Sequence, residues 1–387
     1  MKNKSVSKVL QSFVCGAVML AGMLAMPVYA KSAVVNVVEN TDGTDNGVRL
    51  LLSALKDVPF YRISEIGLIG TQDVVLIKIN SLWAERGGTN TDLLKAVIEY
   101  IIRHPAGFEG EIIVADNGQG MFGSEGKGGR LDWASPNSSD RKQSAQMVVD
   151  YFAAQGYRVS GVSWDKLTRR KTAEFLSGDM ADGFVVEPGV KPTGIQISYP
   201  KFSTSYGTHV SFKQGIWDAE SKSYNKQKLK LINIPVLKSH TQYQVAGAVS
   251  AYMGVPSNAL TDMSPNKSVG AGGLGTLMAN TRFPDLTILD MIYICPVRGP
   301  PSSYSNAVQK NMIAASTDPF ALDVWAVKNV LIPAAELLDS KRAKQMDPRS
   351  IEQGSFGYWL TRSAEEVQRG GFQAAIDENE ISVNKIQ

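Results

Sequence analysis

The run DVVLIKIN at residues 73–80 and the amphipathic stretch TDLLKAVIEYIIRH at 91–104 constrain the fold class more tightly than any other feature of the chain. A short, continuous apolar run is what a strand buried on both faces requires, because a half-exposed strand would alternate. Leu93, Leu94, Val97, Ile98, Ile101 and Ile102 then recur at helical spacing, with Asn90 or Thr91 available as a cap. EIIVADNG at 111–118 reads as the next strand, and Ala145, Val148, Val149 and Phe152 mark the helix after a long loop. The order resumes with KLKLINIPVLKSH, a helix pattern from about Tyr243 to Met253, the strand DLTILDMIYI at 285–294, and NMIAASTDPFALDVWAVKNVL as strand, cap and helix. Repeated alternation predicts an α/β fold, a mainly parallel sheet with helices on both faces.

Two regions break the rhythm. Residues 119–140, rich in Gly and Ser, are far longer than an ordinary connection and follow a strand end directly, which fits a lid. Residues 184–228 hold Pro188, Pro192 and Pro200 and alternating pieces such as IQISY and THVSF, the pattern of a β-rich insertion. The expected organisation is a single α/β domain over 31–348, with 349–387 as a tail carrying a weak amphipathic helix near 363–377.

The first 30 residues carry Lys2, Lys4 and Lys8, an apolar stretch from Phe13 to Met26, and Val28, Tyr29 and Ala30 at cleavage-type positions. They read as a signal peptide cut before Lys31, which implies export to a periplasm or the extracellular space. The apolar stretch is shorter than the roughly 20 residues of a membrane span, so no stable membrane insertion is expected after cleavage. Those three lysines account for the excess of 40 Lys+Arg over 37 Asp+Glu. A formally neutral body without a basic stripe is a poor nucleic-acid binder. Of two cysteines only Cys295 lies beyond the signal, which excludes an intramolecular disulfide, a thiolate zinc site and an intrinsic iron–sulfur cluster.

In open α/β sheets, ligands bind outside the carboxyl ends of the strands. Lys78 and Asn80, Asp116 and Asn117, Lys238 and His240, and Asp318 all fall at such ends. Alternation puts Lys78 with Asn80 on one face and Lys238 with His240 on one face. Lysines there can hold an anion, and an imidazole can bind metal or move a proton. A strand-end lysine also snorkels to solvent, and a lone histidine commonly makes a structural hydrogen bond. Thr317-Asp318-Pro319 is a helix start in which Asp318 serves as N-cap, and Asp323, one turn on, is a carboxylate more than capping needs. The Gly-rich GAGGLGTLM at 270–278 fits neither a dinucleotide fingerprint nor a P-loop, and RGPP at 298–301 is a rigid turn. His104 and His209 lack metal-like spacing, and no Gly-x-Ser-x-Gly elbow is present.

The segments VLIKIN, VADNG, NIPVLKSHTQ, GAVSAYMG, DLTILDMI, RGPP and IAASTDPFALD stand in an order that resembles the bacterial and archaeal family called domain of unknown function 362, over about 73–330. The matching positions are Lys78, Asn80, Asp116, Lys238, His240, Asp290, Asp318, Pro319 and Asp323. The resemblance implies homology without a settled activity. Many members of that family carry a ferredoxin-like cysteine segment, which this chain lacks, so any redox role would need a borrowed cofactor.

Two functions stay open. One is an exported enzyme acting on a small anionic substrate: Lys78 and Asn80 bind it, His240, Lys238 and Asp116 carry the chemistry, and Asp318, Asp323 and His240 hold a divalent metal ion if there is one. The other is a solute- or metal-chelate-binding protein without catalysis.

Overall fold

The computed structural model describes residues 32–81, 87–118, 129–134, 137–297 and 306–387. The signal segment, RGPP and most of the 119–140 loop lie outside the described residues. Strands run as β1 (Ala33–Glu39), β2 (Val74–Ile79), β3 (Glu111–Asp116), β4 (Val159–Ser163), β5 (Lys171–Thr172), β6 (Gly183–Val186), β7 (Ser198–Ser203) and β8 (His209–Ser211). They continue as β9 (Gly215–Asp218), β10 (Ser223–Asn225), β11 (Leu229–Ile234), β12 (Val236–His240), β13 (Gln244–Ala246), β14 (Leu286–Cys295), β15 (Val308–Ser316) and β16 (Ile381–Ile386). The α-helices are α1 (Gly47–Ser53), α2 (Thr91–Ile102), α3 (Ala145–Ala153), α4 (Ser264–Ser268), α5 (Gly273–Asn280), α6 (Pro319–Ala326), α7 (Ile332–Glu336), α8 (Ser340–Gln345) and α9 (Phe356–Arg369).

The main sheet has the order β16-β1-β15-β14-β11-β2-β3-β4, with β12 paired to β14 and β13. The stretch β14-β11-β2-β3-β4 is parallel throughout, whereas β15 runs antiparallel to both β14 and β1. The α/β expectation is met, and β2 and β3 are buried along their whole length, as unbroken apolar runs demand. Alternation sends Val74, Leu76, Leu229 and Leu231 into one core cluster and Val75, Ile77, Ile232 and Ile234 into the other. The second cluster takes its cover from α1, α2 and α3, and the first from α5, α6, α9 and the second sheet. Asn90 caps α2 as its sequence position requires, accepting from the backbone N–H of Asp92 and Leu93, a contribution of about 1 kcal/mol.

The β-rich insertion is a separate six-stranded sheet, β10-β9-β8-β7-β6-β5, that begins at Lys171, earlier than its proline and alternation signals. KLKLINIPVLKSH is two strands, because Pro235 has no N–H to continue the ladder. The helix expected over 243–253 is instead β13 followed by a 3-10 turn at Ser250–Gly254. Tight contacts at Gly247 and Gly254 hold that segment in its non-helical path: a Cβ at Gly247 would lie 2.3 Å from Asp323 Oδ1. The tail is integral to the fold, since α9 packs on α5 and β16 pairs in parallel with β1. Among the described residues no helix is long and apolar enough to cross a membrane.

Candidate functional site

β2 delivers Lys78 into the interior, where the side chain is 0% exposed and Nζ stands 3.1 Å from Asp116 Oδ1 at the end of β3. The other carboxylate oxygen of Asp116 accepts from the backbone N–H and the hydroxyl of Ser81, at 2.9 and 3.0 Å. Gly254 closes over this pair: a Cβ there would lie 2.5 Å from Asp116 Oδ1 and 2.7 Å from Lys78 Nζ. No side chain larger than hydrogen fits without moving the ions.

Asn80 joins this pair to a second group of buried charges. Its Oδ1 accepts from the N–H of Val236 at 2.8 Å and from Lys238 Nζ at 3.4 Å, and it thereby stitches β12 to the end of β2. Lys238 Nζ also donates to the carbonyl of Gly87 at 3.1 Å. Burial lowers the ammonium of Lys238 to about 8; Cys295, Asp290 and Asp116 oppose that shift and Lys78 adds to it. Asp290 is fully buried and accepts from the N–H of Asn90 at 2.8 Å and of Ile292 at 3.1 Å. Burial raises its carboxyl to about 6, against those two bonds and the Lys238 charge. Cys295 faces Lys238 in strand register, and burial raises its thiol.

The remaining sequence candidates have other occupations. His240 Nδ1 accepts from the N–H of Gln242 at 3.1 Å and of Tyr243 at 3.0 Å, and its ring stacks on Tyr243 at 4.5 Å. Burial first, then the Lys238 and Arg342 charges, push the imidazole down to about 4, so it is neutral and closes the turn between β12 and β13. Asp318 caps α6 through Phe320 and Ala321, and its other oxygen takes the N–H of Ala375 from the tail. Asp323 receives the N–H groups of Ala248 and Val249, at 2.7 and 3.0 Å. Burial raises Asp318 to about 6 and Asp323 to about 7, with their backbone bonds opposing. Asp318, Asp323 and His240, expected as a possible metal set, each anchor a different stretch of backbone. Among the described residues no group of three or more His, Cys, Asp or Glu is placed to hold a metal ion.

Sequence reasoning missed Ser81, Gly254 and a polar row that crosses the sheet. Lys78, Asn233, Thr287 and Ser316 stand in register on β2, β11, β14 and β15. Asn233 donates to the carbonyl of Ala248, so the row and Asp323 grip the same segment from two sides. The available signal was a polar residue at matching depth in LINI and DLTILD.

Open space adjoins the charges at the carboxyl edge. A cavity of about 20 Å³, enough for one water-sized group, is lined by Asn80, Ser81, Gly88, Thr89 and Arg130 among others. A shallower cleft of about 220 Å³ shares Arg130 and Leu131 with it and reaches Ser163 at the end of β4 and Lys166 beyond it.

Fold and site together define an α/β protein with a mixed sheet, a second β-sheet layer, and buried lysines and carboxylates at the carboxyl edge of its parallel strands. Residues 223–328 match the family described as Domain of unknown function (DUF362), and in that stretch the chain resembles this family. The match takes in Lys238, His240, Asp290, Asp318 and Asp323, whereas Lys78, Asn80 and Asp116 precede it. No curated protein matches the chain, and no solved structure does.

Proposed function

We propose that this is an exported protein that takes a small anionic molecule at the carboxyl edge of the main sheet and acts on it through Lys238. The observation that carries the reading is the buried Lys238 ammonium, held by Asn80 and Gly87 beside Asp290 and the Lys78–Asp116 pair. A cation in low dielectric attracts an anion far more strongly than one in water. Asp116 and Asn80 act as positioning residues: Asp116 fixes Lys78, and Asn80 fixes Lys238. His240 has no chemical part in this reading, because its Nδ1 is committed to the turn.

Binding without turnover is the second reading, and the depth of burial around Lys78 favours it, since a pair tied into the core is well suited to holding charge and poorly suited to moving. A thermal-shift screen of small carboxylates and phosphates on the mature chain tests both. An acid that raises the melting temperature of the native protein and leaves Lys238→Met unmoved supports the site; no such acid refutes it. Recovery of the bound acid unchanged after prolonged incubation selects the binding reading. N-terminal sequencing of the secreted protein tests export, with Lys31 as the expected first residue.

A further inference from the structure

We infer that the loop at 173–181 and the basic run that precedes it form a docking surface for a negatively charged lipid bilayer. The inference stands apart from the anion site at the carboxyl edge and does not depend on it.

Lys166, Arg169, Arg170 and Lys171 place four cations in six residues, where the chain leaves β4 and enters β5. All four side chains are exposed, and among the described residues none of them forms an ion pair, a side-chain hydrogen bond or a ring contact. The carboxylates of the same stretch are half-buried and held by other groups. Asp165 accepts from the hydroxyl of Ser163, Glu174 from the hydroxyls of Tyr199, Ser211 and Tyr224, and Asp182 from the N–H of Ser203. The cation beside Asp179 is the buried Lys201, at 3.9 Å. Four cations and four carboxylates cancel formally over 165–182, but the cations stand outside the carboxylates. A surface closer than a Debye length, about 10 Å, therefore meets the positive groups first.

The loop supplies the apolar half. Asp179 closes its base, taking the N–H of Ala173 at 2.9 Å and the Thr172 hydroxyl at 2.7 Å on one oxygen and the N–H of Ala181 at 2.9 Å on the other. Phe175 is buried against His209 and Trp217, and its N–H donates to the Tyr224 hydroxyl at 2.9 Å. With that neighbour turned in, Leu176 is held out at 66% exposure, and Met180 on the same loop stands at 48%. The exposed residues of the loop are Ala173, Leu176, Ser177, Gly178 and Met180, and none is charged.

An uncharged tip with two large apolar side chains, beside a collar of unpaired cations, carries both signals that reversible attachment to an anionic bilayer requires. The cations draw the surface in, and the apolar groups enter the boundary between headgroups and acyl chains. A soluble polyanion would engage the cations and leave Leu176 and Met180 in water. No spanning segment is involved.

The test is co-sedimentation of the mature chain with vesicles of phosphatidylcholine alone and of an equimolar mixture with phosphatidylglycerol, at low and high salt. Binding is expected to the mixed vesicles only, with release at high salt. Arg169→Gln with Arg170→Gln should bind about 30-fold more weakly, at about 1 kcal/mol for each cation near the surface. Leu176→Ser with Met180→Ser should lose about tenfold. A third variant, Leu176→Cys, carries a polarity-sensitive dye, the other thiol of the mature chain being the buried Cys295. Its emission should shift to the blue with mixed vesicles. Should either double variant fail to fold, the dye decides the matter alone. No binding to mixed vesicles, equal binding by native protein and both double variants, or a dye that stays in water while the protein sediments would each overturn the surface. Binding to heparin without binding to vesicles would overturn the lipid and make the partner a soluble polyanion.

Discussion

Lys78 Nζ and Asp116 Oδ1 lie 3.1 Å apart with both side chains sealed from solvent, one at the end of β2 and the other at the end of β3. Such a pair is costly to break from one side, because the survivor is a buried charge without compensation. Lys78→Met is expected to lose about 3–5 kcal/mol in urea unfolding, whereas Lys78→Met with Asp116→Leu recovers a substantial part. The recovery stays incomplete, since Ser81 loses the acceptor for its N–H and hydroxyl. Equal losses in the single and double variants would contradict the account.

Gly254 is a packing requirement of the site. The methyl of Gly254→Ala would press on Asp116 Oδ1 and Lys78 Nζ, and overpacking of this kind costs about 1–3 kcal/mol. Gly270→Ala, where a Cβ meets nothing within 4 Å, is the matched control and should leave the midpoint unchanged. Identical midpoints for the two variants would refute the close approach.

Asp323 gives the protein an unusual acid dependence. Its carboxyl stands at about 7 in the folded chain against an ordinary 3.8, because burial disfavours the charge. The folded state therefore keeps a proton that the unfolded chain releases, and the resulting stability is full below about pH 4 and lost as pH rises through 7. Asp290 and Asp318, at about 6, act with the same sign. Asp323→Asn should be less stable overall, since it gives up an acceptor for Val249, yet its stability should fall less steeply between pH 4 and 7. Parallel pH profiles for the two proteins would contradict the shift.

His240 acts with the opposite sign. Its folded value of about 4 lies below the ordinary 6.5, so its contribution is present above about pH 6.5 and is lost as pH falls to 4. His240→Ala removes the acceptor for Gln242 and Tyr243 and a stacked ring, at a cost of about 1–3 kcal/mol at neutral pH. It should leave anion binding within a few-fold of native. A variant that folds normally but binds nothing would return His240 to the chemistry.

The parallel strands and α2 were legible because each carries a periodicity that one kind of element satisfies. The cap role of Asp318 was legible for the same local reason, a Thr-Asp-Pro start. The path of 243–254 was not, because its apolar spacing mimics a helix while its shape is set by distant groups: Asp323 at one end and the Lys78–Asp116 pair at the other. The meeting of Asn80 with Lys238 was half legible. Both were placed at the carboxyl edge, but the bond depends on Pro235 ending β11 and on Val236 taking Asn80 Oδ1. The helix in the tail was legible, but β16 was not, because it is short and half-exposed and its partner β1 lies at the other end of the described chain.

The central claim is that the Lys238 ammonium holds an anion at the carboxyl edge. The direct measurement is calorimetric titration of the strongest acid from the screen into native protein and Lys238→Met, at pH 7 and at pH 9.5. Since the ammonium is lost through about pH 8, affinity should fall at least tenfold at the higher pH in the native protein, and Lys238→Met should bind weakly at both. Equal affinity in the two proteins, or no change between the two pH values, would contradict it.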